Sequence, residues 1–224
     1  MTEYFEKQYA VLDDSRSKFG LATMGPMSSF TWNDDPKRLC FVLSRYKFVG
    51  KVLADCGNAL EVGCGDGFGA RIVNQFVTDL SLSDVDPNML IAAKNNSSPA
   101  GSIKFIQHDF NSGTIPNSIF DGIYLLDVLE HIRPESEIIF LENIKSCLRP
   151  GGKIVIGMPS IESQQYASPA SLAGHVNCKR QEDLHRLTRD IFGTALAFSM
   201  NDETIHTGFS RMANYLLSIG IRTR

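Results

Sequence analysis

From Gly57 onward the sequence alternates short apolar runs, "NALEVG", "DLSLSDV", "IKFIQHD", "FDGIYLLDV" and "GKIVIGMP", with helix-like segments at 69–77, 88–96 and 135–148. This rhythm limits the possible folds more than any other feature. The runs are bounded by turn residues and are too continuously apolar for one side to meet water, which predicts strands buried on both faces. Strands that alternate with helices form a mostly parallel sheet covered on both sides, a doubly wound α/β architecture. The connection 109–119 predicts a loop with at most a helical turn. Beyond it, 160–177 predicts a loop, 178–191 a helix, and "GTALAFSM" and "ANYLLSIGI" two closing strands separated by the polar "NDETIHTGFSR".

Ahead of the sheet, "PKRLCFVLSRYKFVGKVLADC" places Leu39, Val42, Leu43, Tyr46, Val49, Val52 and Leu53 at three- and four-residue spacings, the pattern of an amphipathic helix with Pro in its first turn. Its polar face carries Lys37, Arg38, Arg45, Lys47 and Lys51 and reads as solvated. Residues 1–36 lack a sustained period and are broken by Gly20, Gly25, Pro26 and Pro36; a short helix and an irregular cap are expected there. The organisation is thus a cap or lid over 1–36 and one domain over 37–224. At 224 residues and 43% hydrophobic content, the chain can bury one substantial core.

Charge and cysteine usage narrow the function classes. Lys and Arg number 22 against 25 Asp and Glu, a net charge of -3, so no basic field exists to capture nucleic acid. The five cysteines, Cys40, Cys56, Cys64, Cys147 and Cys178, contain no C-x-x-C pair, which leaves reduced thiols as the expectation. The charged N-terminus has no signal-peptide segment, and no apolar run approaches the ~18 residues of a membrane span. A soluble, cytoplasmic protein that contacts neither membrane nor nucleic acid is expected.

The stretch "ALEVGCGDGFGARIV" carries the first chemical signal. Gly63, Gly65, Gly67 and Gly69 follow a strand and lead into a helix, so the backbone can turn sharply and a ligand can lie against it, facing free helical N–H groups. Gly65, Gly67 and Ala70 also fit the G-x-G-x-x-G/A dinucleotide pattern, a weak signal by itself. Three features argue against a nicotinamide enzyme: Glu61 would confront a pyrophosphate, the loop begins some 60 residues into the chain, and little chain remains for a substrate domain. An acid beside the loop suits a ligand that bears both an amino group and a carboxylate.

The E-x-G-x-G-x-G string resembles the first motif of class I S-adenosylmethionine-dependent methyltransferases. "LSDVDPNML", "FIQHDF", "FDGIYLLDVLEHI" and "LRPGGKIVIGMP" are similar to the remaining motifs, in order and spacing, so the resemblance is close over 58–159. It implies a seven-stranded, Rossmann-like sheet of order 3-2-1-4-5-7-6 with the last strand antiparallel, and S-adenosyl-L-methionine as cofactor. Carried over by position, it implies that Glu61, Gly63 and Gly65 face the methionine part and that Asp84 accepts the ribose hydroxyls, beside Val85. Asp86 competes with Asp84, since its spacing to Asn88 also suits a helix cap. Asp109 would meet the adenine amino group and Phe110 would lend its backbone N–H, with Met89 on the adenine ring. Leu126 and Asp127 would lie near the methionine moiety and the reactive methyl.

A sulfonium methyl is already a strong electrophile, so catalysis should consist of alignment plus a base for an acceptor that starts protonated. His131, His175 and His206 follow the fourth, fifth and sixth strands, and ligands sit at the carboxyl ends of strands in such sheets. They are the candidate bases. Asp127, Glu130 and His131, spaced i, i+3, i+4, are compatible with a divalent ion; no fourth ligand is evident, and no metal is assigned.

The Asn/Asp-Pro-Pro-Tyr signature of methyltransferases acting on planar amino groups is absent, the fourth strand giving "LLDV" instead. No basic, aromatic-interleaved appendage for RNA is present. The expected acceptor is a small molecule, methylated on oxygen or nitrogen, with the protein a monomer or homodimer. The cap, with Tyr4, Tyr9, Phe30 and Trp32, either folds over the cofactor and walls the substrate pocket or only finishes the core. The closing segment "SMNDETIHTGFSRMANYLL" is similar to tails of bacterial methyltransferases from surface-saccharide or natural-product clusters. Alternatives are a nicotinamide-dependent oxidoreductase on a Rossmann-like fold and a non-catalytic S-adenosylmethionine-binding module.

Overall fold

The computed structural model describes residues 6–97 and 103–223, so Tyr4 lies outside the described residues. Two N-terminal helices, α1 (Ala10–Phe19) and α2 (Pro26–Asp34), precede the long amphipathic helix α3 (Lys37–Val52). Strands β1 (Asn58–Val62), β2 (Asp79–Asp84), β3 (Ile103–Gln107) and β4 (Phe120–Leu126) follow, with α4 (Ala70–Val73) and α5 (Pro87–Asn96) after β1 and β2. No helix joins β3 to β4. Then come α6 (Glu137–Ser146), β5 (Leu148–Pro159), α7 (Pro169–Gly174), α8 (Gln181–Phe192), β6 (Gly193–Asn201), β7 (Thr204–His206) and β8 (Tyr215–Arg222).

The sheet runs β3-β2-β1-β4-β5-β8-β6-β7. Pairings among β1 to β5 are parallel, and β8 is inserted antiparallel between β5 and β6. Among the described residues the sheet therefore has eight strands where seven were expected. The additional strand is β7, a three-residue return from β6 in which Asn201 pairs with Thr204 and Asp202 takes φ 47° to close the hairpin. With β7 set aside, the order is the 3-2-1-4-5-7-6 expected from sequence.

Alternation along the strands divides the core. Leu60, Ile123, Leu125, Ile154 and Ile156 pack towards α6 and α8, with Phe140, Leu141, Leu184 and Phe192. Ala59, Tyr124, Leu126 and Val155 face α3, α4 and α5, with Val49, Val73 and Leu90. Glu61 falls on this second side, beneath α3.

Two local expectations are corrected. The helix predicted over 69–77 ends at Val73, and i→i+3 bonds from Gln75 and Phe76 tighten the chain beyond it. Phe76 closes on α3 at Gly50, where a Cβ would come within 2.4 Å of its ring. In the predicted loop 160–177, Ser168 caps the short α7 by accepting from the Ser171 N–H, with Pro169 at the first helical position.

Candidate active site

The parallel strands end along one edge of the sheet, and the glycine loop starts there. After Val62, the N–H groups of Gly63 and Cys64 both donate to the Ser83 carbonyl, at 2.8 and 3.0 Å, which turns the loop across the tip of β2. Gly63 has φ 71° and Gly65 has φ 52°, left-handed values that disfavour a side chain. A Cβ at Gly63 would stand 2.5 Å from Val128 Cγ2, and one at Gly65 2.6 Å from Met27 Sδ. At Gly67 and Gly69 the close neighbours are Ala93 and Tyr46, packing partners at the helix start.

Opposite the loop, Asp84 Oδ2 accepts from the Gly65 N–H and Oδ1 from the Asp86 N–H, both at 2.9 Å. Two main-chain donors thus hold this carboxylate at the strand tip with lone pairs to spare. Asp86 instead caps α5, accepting from the Asn88 N–H at 2.8 Å.

A cavity of about 340 Å³ opens between these elements. Gly63, Gly65 and Asp84 form one wall, with Val85 and Met89 beside them. Asp109, Phe110, Asp127 and His131 line the rest. Asp109 accepts from the Asn111 N–H at 2.8 Å in an Asx turn, and the buried Phe110 ring packs edge-on between His108 and Phe140. A second cavity of about 210 Å³, lined by Tyr46, Gly69, Leu126 and Asp127, lies between the loop, α2 and α3. Met27, Gly63, Gly65 and Asp127 line both cavities, so the two adjoin along these residues.

Glu61 lines neither cavity. It is 1% exposed, and its oxygens accept from the Tyr46 hydroxyl at 3.0 Å and the Tyr124 hydroxyl at 2.8 Å. Burial pushes its carboxyl up to about 8, and the two tyrosine bonds oppose that rise. The side chain ties the end of β1 to α3 through Tyr46 and to β4 through Tyr124.

Asp66 lines the second cavity and not the first. It accepts from the Ser28 N–H at 2.7 Å and from the Ser28 hydroxyl at 3.2 Å, while its carbonyl accepts from the Asn96 amide at 2.7 Å. A distant loop residue thereby satisfies a free N–H of the first turn of α2. Phe30, Trp32 and Tyr9 remain exposed and wall neither cavity; among the described residues of the cap, Met27 lines the first, and Met27, Ser28 and Thr31 line the second.

Asp127, at φ 56°, binds Arg45 through Nη1 at 2.8 Å. Beyond it, the 3-10 turn Leu129–His131 places His131 at the cavity wall and turns Glu130 inward, where no hydrogen-bond partner meets either carboxylate oxygen. Burial, then the charge of Asp127, raises the Glu130 carboxyl well above the usual range. The Glu130 carbonyl accepts from the N–H groups of Val176 and Asn177, drawing His175 to within 5.2 Å of His131 between ring centroids. Burial and then His131 depress the His175 imidazole. Glu130, His131 and His175 thus form a three-residue group of metal-ligating type, whereas the sequence analysis joined Glu130 and His131 to Asp127 and assigned no metal.

His206 is not brought to this group. It lies on β7 at the far edge of the sheet, where Nε2 donates to Asn201 Oδ1 at 2.9 Å and Nδ1 accepts from the Gly208 N–H at 3.0 Å. Both ring nitrogens serve the hairpin. Sequence reasoning missed Tyr46, Tyr124 and Met27, whose spacing marks them only as apolar core or cap positions, and the pairing of Arg45, which it read as a solvated helix face.

Residues 60–156 match the family model described as a methyltransferase domain. A sterol 24-C-methyltransferase, ERG6B, of Gibberella zeae is 31% identical over 97 residues, 42% of this chain and 25% of that protein. A ubiquinone biosynthesis O-methyltransferase of Xanthomonas euvesicatoria pv. vesicatoria is 26% identical over 129 residues, 54% of this chain and 48% of that one. The chain therefore spans between a quarter and about half the length of these curated relatives. Among solved structures, the N-methyltransferase NodS of Bradyrhizobium japonicum WM9 in complex with S-adenosyl-L-homocysteine superposes with a TM-score of 0.63 at 19% identity, covering 98% of this chain and 100% of that one. Over residues 60–156 the chain is thus similar to methyltransferase domains, and its sheet has the Rossmann-like α/β fold of the solved methyltransferase.

Proposed function

We propose that the protein transfers a methyl group from S-adenosylmethionine to an oxygen or nitrogen of a small molecule. The observation that carries this reading is the cavity at the strand ends, where Asp84, held by two main-chain N–H groups, faces a glycine loop that a Cβ would obstruct. That cradle fits a ligand with vicinal hydroxyls and an amino acid portion, and the names of the relatives point to methyl transfer. Bound there, S-adenosylmethionine supplies an electrophilic methyl on its sulfonium.

The chain supplies position and a proton acceptor. Asp84 accepts the ribose hydroxyls, Asp109 and the Phe110 N–H address the adenine edge, and Met89 and Val85 cover its face. Gly63 and Gly65 admit the amino acid portion, and Glu61 holds α3 and β4 beside it through Tyr46 and Tyr124. His131, at the cavity wall, takes the acceptor proton, with His175 behind it; His206 stays with its hairpin. Residues 1–36 serve as a lid over the domain 37–224, and Met27 is the side chain that shields the sulfur from water.

The test is calorimetric titration with S-adenosyl-L-homocysteine and, separately, NAD. Micromolar binding of the first and none of the second is expected, and the reverse would overturn the proposal. Methyl transfer from labelled donor across a panel of hydroxyl and amine acceptors then separates an enzyme from a binding module.

A further inference from the structure

Glu130 is fully buried, and neither of its carboxylate oxygens has a hydrogen-bond partner. Buried carboxylates left in this state are costly and rare. Two imidazoles face it. The ligand atoms of Glu130, His131 and His175 lie within 4.8 Å of one another.

Both imidazoles are oriented from behind. His131 Nδ1 lies 2.9 Å from the Gly174 carbonyl, which can only accept, so Nδ1 carries the hydrogen and Nε2 keeps its lone pair. His175 Nδ1 lies 2.8 Å from Gln164 Oε1, with the same consequence. Such bonds to the second nitrogen fix the tautomer and direction of metal-binding histidines. Arg45, the cation whose charge acts on Glu130, is ion-paired with Asp127 at 2.8 Å, which offsets its repulsion of an incoming ion.

We propose that Glu130, His131 and His175 bind one divalent transition-metal ion of the zinc, cobalt or iron(II) type. Two imidazoles and one carboxylate match the donor preferences of these ions and leave coordination positions open. His131 lines the cavity, so the open positions face it. Bonds of about 2.0–2.2 Å require the ligand atoms to close to roughly 3 Å apart, a change that rotation of the exposed His131 and half-buried His175 supplies. If the methyl-transfer reading holds, an ion held here replaces His131 as the activating group: its charge would lower the pKa of an acceptor hydroxyl so that the proton leaves to solvent, while His131 and His175 serve as ligands; ion binding itself does not depend on that reading.

The experiment titrates chelator-treated full-length protein with cobalt(II) chloride, followed by ligand-field absorption and calorimetry, for the wild type, Glu130→Gln and His175→Ala. Saturation at one cobalt per chain is expected, weakened at least about tenfold in each variant. An absence of saturable binding, or equal affinity in His175→Ala, would overturn the proposal. A thiolate charge-transfer band would also overturn it by reporting Cys178, which lies close enough to feel the Glu130 charge. If Glu130→Gln fails to fold, His175→Ala decides. S-adenosyl-L-homocysteine titrations of the same samples separate the two readings: homocysteine-product binding without cobalt binding sinks the ion site alone, and cobalt binding without product binding supports the site while sinking the methyl-donor reading.

Discussion

Arg45 and Asp127 meet at 2.8 Å across 82 residues of sequence, with the Arg45 guanidinium 3.6 Å from the centre of the Tyr215 ring. The contact ties α3 to the end of β4 and to β8 at the wall of the cavity. Burial disfavours the charged guanidinium, and Asp127, followed by Tyr215 and Glu130, outweighs that and raises the Arg45 pKa. The pair holds a carboxylate in a left-handed backbone conformation where methyl transfer is proposed to occur.

Replacing Asp127 with Asn keeps a residue that tolerates this conformation but removes the charge opposite a buried guanidinium. The Asp127 side chain is 42% exposed, so the expected loss lies between buried and exposed pairs, about 2 kcal/mol in urea denaturation. Adding Arg45→Met should recover part of it. Strictly additive losses in the double variant would show that the two residues are uncoupled.

In Asp84→Asn, one carboxylate oxygen facing a main-chain N–H becomes an amide nitrogen, setting donor against donor. Loss of that bond and of the charge should weaken S-adenosyl-L-homocysteine binding by about 10- to 100-fold, since charge-assisted bonds contribute about 1.5–3 kcal/mol. Unchanged affinity by calorimetry would remove Asp84 from the ligand site.

Gly63→Ala should abolish ligand binding and lower stability for two separable reasons, the left-handed backbone and the contact with Val128. Pairing it with Val128→Ala relieves only the contact. The double variant should melt above the single one yet below Val128→Ala alone, the remaining gap reflecting a conformational cost of about 1–2 kcal/mol. No improvement on adding Val128→Ala would show that Val128 is not the obstacle.

Glu61 makes stability depend on pH in a definite direction. Its folded pKa, about 8, lies above its ordinary value of 4.5. At low pH both states hold the proton; as pH rises through this window the unfolded chain releases it first, and stability falls on the order of 1 kcal/mol per unit. Glu61→Gln lacks the effect, so its melting temperature relative to wild type should climb from pH 5 to pH 8. Parallel melting curves would show that the group titrates normally.

The sheet was legible because its strands are short apolar runs, and all but β7 announced themselves that way, although β3, at the sheet edge, carries no fully buried residue. Thr204–His206 has no such run and pairs only at an edge. The strand-end positions of Asp84, Asp109 and Asp127 were legible from the apolar runs that precede them, whereas their roles came from the resemblance. The surroundings of Glu61 were not: Tyr46 and Tyr124, 15 and 63 residues away, meet it through packing of α3 on the sheet, which no local pattern encodes. His175 shows the same limit, since it reaches His131 through bonds to the Glu130 main chain. His206 follows β6 in sequence, but the hairpin directs it along the outer edge, where strand order alone could not exclude it.

Asp66 gives the glycine loop two working sides. The backbone at Gly63 and Gly65 faces the cavity, while the 5% exposed side chain of Asp66 grips Ser28 of α2. In protein engineering, residues 1–36 are therefore not an interchangeable module. A chimera joined at Pro36 to alter acceptor choice would leave Asp66 Oδ1 with the Phe68 N–H but strand Oδ2 unless the incoming segment brings its own donor, so the transferable unit is the cap together with the loop beneath it.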